Sequence, residues 1–208
     1  MTRRALLVAC ALLAGCDTEK AADATVERPQ IASTAAAEPP PGSVVDSALP
    51  IAEHLRRFRV GVDSTDRLRG GSPTPQALAK RFLDAAARGD TIDLARMVLT
   101  RSEFAWLYYP SHMYHDPPYE LDPGTLWMLV QGNSDKGFVR ALRHYGGQRL
   151  EYRELRCTRS ANVKPPLEES ERCALEFTAN GQPESRRMFG SIVGYGGRYK
   201  FVSYANEF

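Results

Sequence analysis

The chain has 208 residues, which is enough for one domain of ordinary size with extensions. It carries 27 basic and 25 acidic residues, and two of the basic ones, Arg3 and Arg4, stand in an apolar leader without acids. Loss of that leader leaves 25 residues of each sign, so the remainder has no net field to attract nucleic acid or an anionic surface. We therefore predict that nucleic acid is not a partner.

Residues 1–15 have the features of a secretory signal peptide. A basic start is followed by an apolar run over residues 5–13, which is too short to span a bilayer, and then by small residues. The sequence Leu13-Ala14-Gly15-Cys16 resembles the lipobox of bacterial lipoproteins. The resemblance implies that Cys16 is fatty-acylated and anchors the chain outside the cytoplasm, on the inner or the outer membrane. The alternative is a plain secretory signal that ends in cysteine.

Two cysteines remain for the folded part of the chain. Cys10 leaves with the predicted signal peptide, and Cys16 takes the lipid. Cys157 and Cys173 then form an even pair in an oxidising compartment. We predict a disulfide between them, with two free buried thiols as the alternative.

Changes in composition divide the rest of the chain. Residues 16–49 are rich in Ala, Pro, Thr, Ser and Glu without an apolar period, which predicts a disordered tether. In residues 50–72, Ile51, Leu55 and Phe58 share one helical face, which predicts a short amphipathic helix and a linker. That helix either packs on the domain or uses its arginines to touch lipid headgroups or a partner. Residues 73–208 form the predicted domain.

The domain opens with clear helix signals. Thr74 and Pro75 predict a helix start, and Gly89 predicts its end. Asp90 predicts the cap of a second helix. Thr100-Arg101-Ser102-Glu103 is a capping box that predicts a third, short helix.

The next segment is less regular in its pattern. We predict an irregular aromatic loop over residues 108–119. Asp122-Pro123 then opens another helix, which Gly132-Asn133-Ser134 is expected to break or bend before Gly146-Gly147 ends it.

The C-terminal part has the signals of antiparallel strands. Asn180-Gly181 is a strong signal for a two-residue hairpin, and Gly196-Gly197 predicts a further turn. Strands are expected near residues 150–157, 173–177, 188–193 and 198–204, with a loop over 159–170. Helices followed by about four strands indicate an α+β fold with a curved antiparallel sheet.

One stretch resembles a known superfamily. Ala77-Leu78-Ala79-Lys80-Arg81-Phe82-Leu83-Asp84-Ala85-Ala86-Ala87-Arg88-Gly89-Asp90 is similar to the first helix of the NTF2-like (SnoaL-like) superfamily and its step into the second helix. The resemblance covers residues 73–208 and implies a cone in which the sheet curls around a long helix and encloses a pocket. The family usually has a strand where the aromatic loop stands here. Neither its catalytic Asp-His pair nor its Asp-Tyr set is present, so no particular reaction is implied.

Aromatic residues and two histidines crowd into residues 104–119. Aromatic rims with a few polar tips suit small apolar ligands, so we predict the mouth of a pocket here. The alternative is a loop that its own side chains seal onto the core. The candidate pocket residues are Phe104, Trp106, Tyr108, Tyr109, His112, Tyr114, His115 and Tyr119.

The same segment offers groups for chemistry. His112, His115 and Asp116 are suitable metal ligands by type, but no further group completes a set, and we predict no metal, no cofactor and no catalytic residue. An enzyme would use His112 or His115 with a carboxylate as acid and base. The last strand carries basic and aromatic residues that we expect on a solvated face, with contact to an anionic partner as the alternative: Arg198, Tyr199, Lys200 and Tyr204.

The sequence favours a lipid-anchored envelope protein with a non-catalytic role in ligand binding or scaffolding. An enzyme acting on a small molecule in an NTF2-like pocket is one alternative. A subunit whose sheet face pairs with itself or with another envelope protein is the other. Binding requires a deep apolar pocket, an enzyme requires polar side chains converging in it, and an interaction subunit requires an exposed apolar sheet face.

Overall fold

The structure, a computed structural model, describes residues 49–204. The predicted signal peptide, Cys16 and residues 16–48 of the predicted tether lie outside this range. Helices occupy the first part of the described chain and an antiparallel sheet the second, so the predicted α+β class is confirmed.

The helical part contains six α-helices, a π-helical turn and a 3-10 turn among the described residues. These are α1 (Ile51–Phe58), α2 (Pro75–Arg88), α3 (Thr91–Met97), α4 (Arg101–Glu103), the π-helix (Phe104–Tyr108), α5 (Tyr109–Ser111), the 3-10 turn (Met113–His115) and α6 (Pro123–Tyr145). The strands are β1 (Leu150–Arg159), β2 (Glu168–Ala179), β3 (Gln182–Arg186), β4 (Ile192–Tyr195) and β5 (Arg198–Phe201).

The helix ends follow from local side-chain chemistry, as predicted. The Thr74 hydroxyl accepts a hydrogen bond from the Ala77 N–H at 3.1 Å, and the Asp90 carboxylate accepts one from Asp93 at 2.9 Å. Gly89 ends α2 with a φ of 67°, a left-handed conformation that glycine adopts without steric cost. The capping box of Thr100 and Glu103 is formed in both directions.

The segment expected to be an irregular loop from residue 108 is helical as far as Ser111. A π-helical turn links α4 to α5, and the Tyr109 N–H bonds to the Phe104 carbonyl. Pro110 would clash with the preceding turn of a regular α-helix, and the wider π-turn just before it makes room for the ring. The prediction of a loop is therefore wrong for residues 108–111 and for the 3-10 turn that follows.

α6 runs without a break from Pro123 to Tyr145, so the predicted break at residues 132–134 is wrong. Its first half buries Leu126 and Val130, and its second half buries Ala141 and Tyr145. A glycine inside a helix costs about 1 kcal/mol relative to alanine. Burial of a single large apolar side chain is worth about 1.5–3 kcal/mol, so packing at both ends offsets that cost.

The sheet has the order β1-β2-β4-β5, with β3 paired to β2. The long strand β2 pairs along one edge with β1 and along the other edge with two strands. Its residues 168–170 pair with β4, whereas residues 175–179 pair with β3 through the predicted Asn180-Gly181 turn. The sequence analysis missed β3 and expected one strand over 188–193, of which only residues 192–193 are in β4.

A β-bulge in β2 separates the part of the strand that pairs with β4 from the part that pairs with β3. Arg156 pairs with Ala174 and Thr158 with Glu171, so Cys157 faces two residues of β2. Arg172, one of these two, has a φ of 52°. The other is Cys173, which is bonded to Cys157, so the predicted disulfide is confirmed at the bulge. A bulge bends its strand, which fits the change of partner here.

Two clusters of buried side chains make up the core. The first surrounds α2, which packs on β1 and buries Leu78, Phe82 and Ala86 beneath the sheet. The second surrounds the π-helix and takes in Leu55 from α1, so the first helix packs on the domain. No helix within residues 49–204 is both long and apolar enough to cross a bilayer.

A buried ion pair joins the helical part to the sheet. Lys200 of β5 is 0% exposed and Glu103 is 2% exposed, and their Nζ and Oε2 atoms lie 2.7 Å apart. The expected solvated face is wrong for Lys200, and also for Tyr204, whose hydroxyl donates to the Leu94 carbonyl. Glu103 also accepts backbone N–H groups of Thr100 and, at 2.6 Å, of Arg69.

Replacing both Cys157 and Cys173 by serine should lower the free energy of unfolding. The bridge closes a loop with a sequence separation of 16 residues. Such a loop is worth about 3 kcal/mol through restriction of the unfolded chain. Urea unfolding measures the loss, and thiol labelling of denatured, unreduced wild-type protein should find neither cysteine reactive. Reactive thiols at both positions would contradict the disulfide.

Lys200→Met should lower the free energy of unfolding by about 3–5 kcal/mol, because it leaves the Glu103 carboxylate buried without its cation. Adding Glu103→Gln in the same chain should recover much of that loss, since glutamine can still complete the capping box. A double-mutant cycle by chemical unfolding measures the coupling. If the losses of the two single variants add up to the loss of the double variant to within about 0.5 kcal/mol, the two groups do not stabilise each other.

Candidate functional site

Seven of the eight candidate pocket residues lie in one continuous set of ring contacts. Phe104 contacts Tyr108 and Tyr109, with ring centroids 6.0 and 5.8 Å apart. From Tyr108 the contacts continue through His112 and Tyr114 to Tyr119. From Tyr109 they reach His115 at 5.5 Å. The segment therefore packs largely against itself and the second core cluster, with Tyr119 at its exposed end.

Trp106, the eighth residue, contacts an arginine rather than the other seven rings. The guanidinium of Arg59, just after α1, lies 4.1 Å from the centre of its ring and donates to the Ala105 carbonyl. This cation–π contact uses one of the arginines that made α1 a candidate for lipid contact. The other two, Arg56 and Arg57, pair with Glu53 on the same helix.

His112 is buried and neutral. Its ring lies between those of Tyr108 and Tyr114, and its Nδ1 atom accepts the Tyr114 N–H at 3.2 Å. Burial lowers the pKa of His112 to about 4, because the imidazolium would lose its hydration. The backbone of Asn162 covers the next residue by accepting the Met113 N–H.

The loop between β1 and β2 forms that cover; it was predicted over residues 159–170, but residue 159 and residues 168–170 belong to the strands. The Lys164 N–H donates to the Ser111 carbonyl at 2.8 Å, and Val163 forms an isolated bridge with His112. The Lys164 side chain forms an ion pair with Asp116. That contact, followed by the bond from His115, lowers the pKa of Asp116. His115 and Asp116 are thus joined at 3.2 Å, but no group of three metal-binding side chains occurs in the described chain.

Glu169 of β2 is the polar residue that the sequence analysis missed. It is 3% exposed, and its Oε1 atom accepts the Tyr108 hydroxyl at 3.0 Å. Burial raises the pKa of Glu169, while the neighbouring hydroxyls of Ser191, Tyr108 and Ser160 act in the opposite direction. Burial also raises the pKa of Tyr108 well above its ordinary value, helped by the neighbouring carboxylate. Charged neighbours Glu168 and Glu171 made this position read as solvent-exposed, so the sequence held no signal for it.

The arrangement brings Tyr108, His112 and Glu169 into one buried cluster, but it constrains their chemistry. Tyr108 keeps its proton, and His112 stays neutral down to about pH 4. Among the described residues, two buried side-chain atoms lack a hydrogen-bond partner, Glu169 Oε2 and Trp106 Nε1. Of these three groups, only Glu169 has a pKa that moves toward neutral pH.

No protein-family model, no curated protein and no solved structure matches the chain. The resemblance to the NTF2-like superfamily therefore stays a prediction from the sequence.

Glu169→Gln should stabilise the protein relative to wild type increasingly as the pH rises. The Glu169 carboxyl has a folded-state pKa above its ordinary value of 4.5. Its contribution to the free energy of unfolding is therefore fully present when the pH is below 4.5. It is lost as the pH rises through the folded-state pKa, because the buried carboxylate must then be charged. The glutamine oxygen can still accept the Tyr108 hydroxyl. Urea unfolding of both proteins between about pH 4 and about pH 7 measures the difference.

The control for this experiment is Glu154→Gln, an exposed position on β1. It should leave the difference from wild type nearly constant over the same pH range. A constant difference for Glu169→Gln as well would contradict the burial of a charged carboxylate at that position.

Proposed function

We propose that the chain is a lipid-anchored, extracytoplasmic protein whose folded domain has a non-catalytic role in ligand binding or scaffolding. The observation that carries this proposal is the bond between Cys157 and Cys173. Disulfides persist in oxidising compartments and are rare in the cytosol. The bond therefore agrees with the export that the first sixteen residues predict, on independent grounds.

The interior supports the non-catalytic part of the proposal. Several of its charged and polar groups bond to one another: Lys200 to Glu103, Tyr108 to Glu169, and Tyr145 to Glu184. The candidate aromatic segment packs against itself and beneath the loop around Val163. A pocket behind it, as in the NTF2-like family, would have to open between these groups.

A second candidate, a protein-interaction subunit, is favoured by a different surface from the one predicted. Within residues 49–204, the exposed large apolar side chains lie outside the strands. Three of them stand on α6, namely Met128, Leu129 and Val139. An interaction would then use this helix rather than the sheet face.

Cys16→Ser should abolish both the lipid mass and the processing at this site, because serine has no thiol to alkylate. Mass spectrometry of the envelope fraction measures both properties. Cys10→Ser is the matched control, since that residue lies inside the predicted signal peptide and its change should leave the mature protein identical. Acylation that survives in Cys16→Ser, or full-length wild-type chain with an intact leader in the cytosol, would contradict the anchor.

A further inference from the structure

A surface cleft of about 580 Å³ lies between α3 and the segment formed by residues 69–72. Arg69 and Gly70 line one side, and Ile92, Ala95 and Arg96 line the other. Lys200 also contributes to the lining, from β5. This cleft does not involve the aromatic segment or the cluster around Glu169.

The side formed by residues 69–72 is held rigidly by the sheet. Ser72 and Tyr199 exchange backbone hydrogen bonds at 3.0 and 2.8 Å, and Glu103 accepts the Arg69 N–H. A β-carbon on Gly71 would lie 2.6 Å from the Tyr199 carbonyl oxygen, so only glycine allows this approach. The Gly70 carbonyl accepts a bond from Arg81, which also pairs with Asp93 of α3. Both walls are thus fixed before any ligand binds, which reduces the entropic cost of binding.

The charge on the side chains that line the cleft is positive, with acidic residues at its edges: Arg69 interacts electrostatically with Asp66, and Arg96 with Asp93. Among the described residues that line it, none is acidic. The guanidinium groups of Arg69 and Arg96 form no hydrogen bond or ion pair with any residue in the range 49–204. Lys200 is 0% exposed and paired with Glu103, so it contributes no free charge to the cleft. The guanidiniums of Arg69 and Arg96, which lack a hydrogen-bonded partner in the described chain, can attract an anion.

The wall on α3 also carries apolar side chains. Ile92 is 66% exposed despite its size, and Ala95 lies one helical turn further on. An inorganic anion alone would leave this wall in water, whereas a ligand with an apolar part would cover it. The planar fork of arginine matches a carboxylate with two parallel hydrogen bonds.

We propose that this cleft binds a small organic carboxylate that carries an apolar group, with Arg69 and Arg96 holding the carboxylate and Ile92 and Ala95 covering the apolar part. The inference rests on the proposed binding role and moves that role from the aromatic segment to the cleft. It requires no covalent step and no cofactor.

Titration of the purified full-length chain with benzoate tests the proposal, with benzamide as the uncharged ligand of the same shape. Amide resonances of Gly70, Ala95 and Arg96 should shift and saturate with benzoate in heteronuclear NMR spectra. The dissociation constant for benzamide should be at least about tenfold higher. Inorganic phosphate should shift the same resonances with lower affinity, because it leaves Ile92 uncovered.

The double variant Arg69→Gln/Arg96→Gln should weaken benzoate binding at least about tenfold and leave benzamide binding nearly unchanged. Arg67→Gln is the matched control, since this arginine is close in sequence but pairs with Asp66 outside the cleft. Ile92→Ser should weaken benzoate binding without changing phosphate binding.

Equal affinity for benzoate and benzamide would overturn the proposal, as would the absence of saturation up to about 10 mM benzoate. Saturable shifts confined to residues 104–119 and indifferent to the arginine substitutions would overturn the assignment to the cleft while keeping a binding role. Failure of the Cys16 experiment with intact benzoate binding would instead remove the anchor and leave the cleft in place.

Discussion

Glu103 accepts hydrogen bonds from its own helix cap and from two groups that are distant in sequence, the backbone of Arg69 and the ammonium of Lys200. Removing two charges from water costs several kcal/mol per ion, and such a pair is sustained only when further hydrogen bonds complete it. Here the carboxylate has three donors. They fix residues 69–72 against β5 and set the start of the 101–111 helix, so the other contacts of this region are built around one buried carboxylate.

The two core clusters depend on a second constraint, the continuity of α6. Its N-terminal half packs with the π-helix, and its C-terminal half packs with α2 and the sheet. The π-turn lets Pro110 lie inside a helix and turns Tyr108 toward Glu169 of β2. The aromatic segment thereby becomes part of the core, covered by the loop around Val163. This packing also buries Glu169, and the burial raises its pKa.

Two parts of the domain surface can be reached without unpacking the core. The cleft beside α3 combines fixed walls, two guanidinium groups without a hydrogen-bonded partner in the described chain, and an exposed apolar side chain. The surface of α6 offers apolar side chains without such charge. A tethered domain on a membrane would present both surfaces to its surroundings, whereas the aromatic segment would have to unpack before it received a ligand.

The sequence by itself determined the features that depend on neighbours along the chain. The caps, the end at Gly89 and the turn at Asn180-Gly181 need only local hydrogen bonds and allowed dihedral angles. The number of cysteines predicted the disulfide, but the bulge in β2 brings Cys157 and Cys173 together. Tertiary structure decided the rest. Whether Lys200 is solvated depends on Glu103, ninety-seven positions away, and the burial of Glu169 depends on Tyr108. The helix α6 continues through Gly132 because both of its halves pack into the core. Such energies arise from contacts between distant residues, and no local pattern of residues records them.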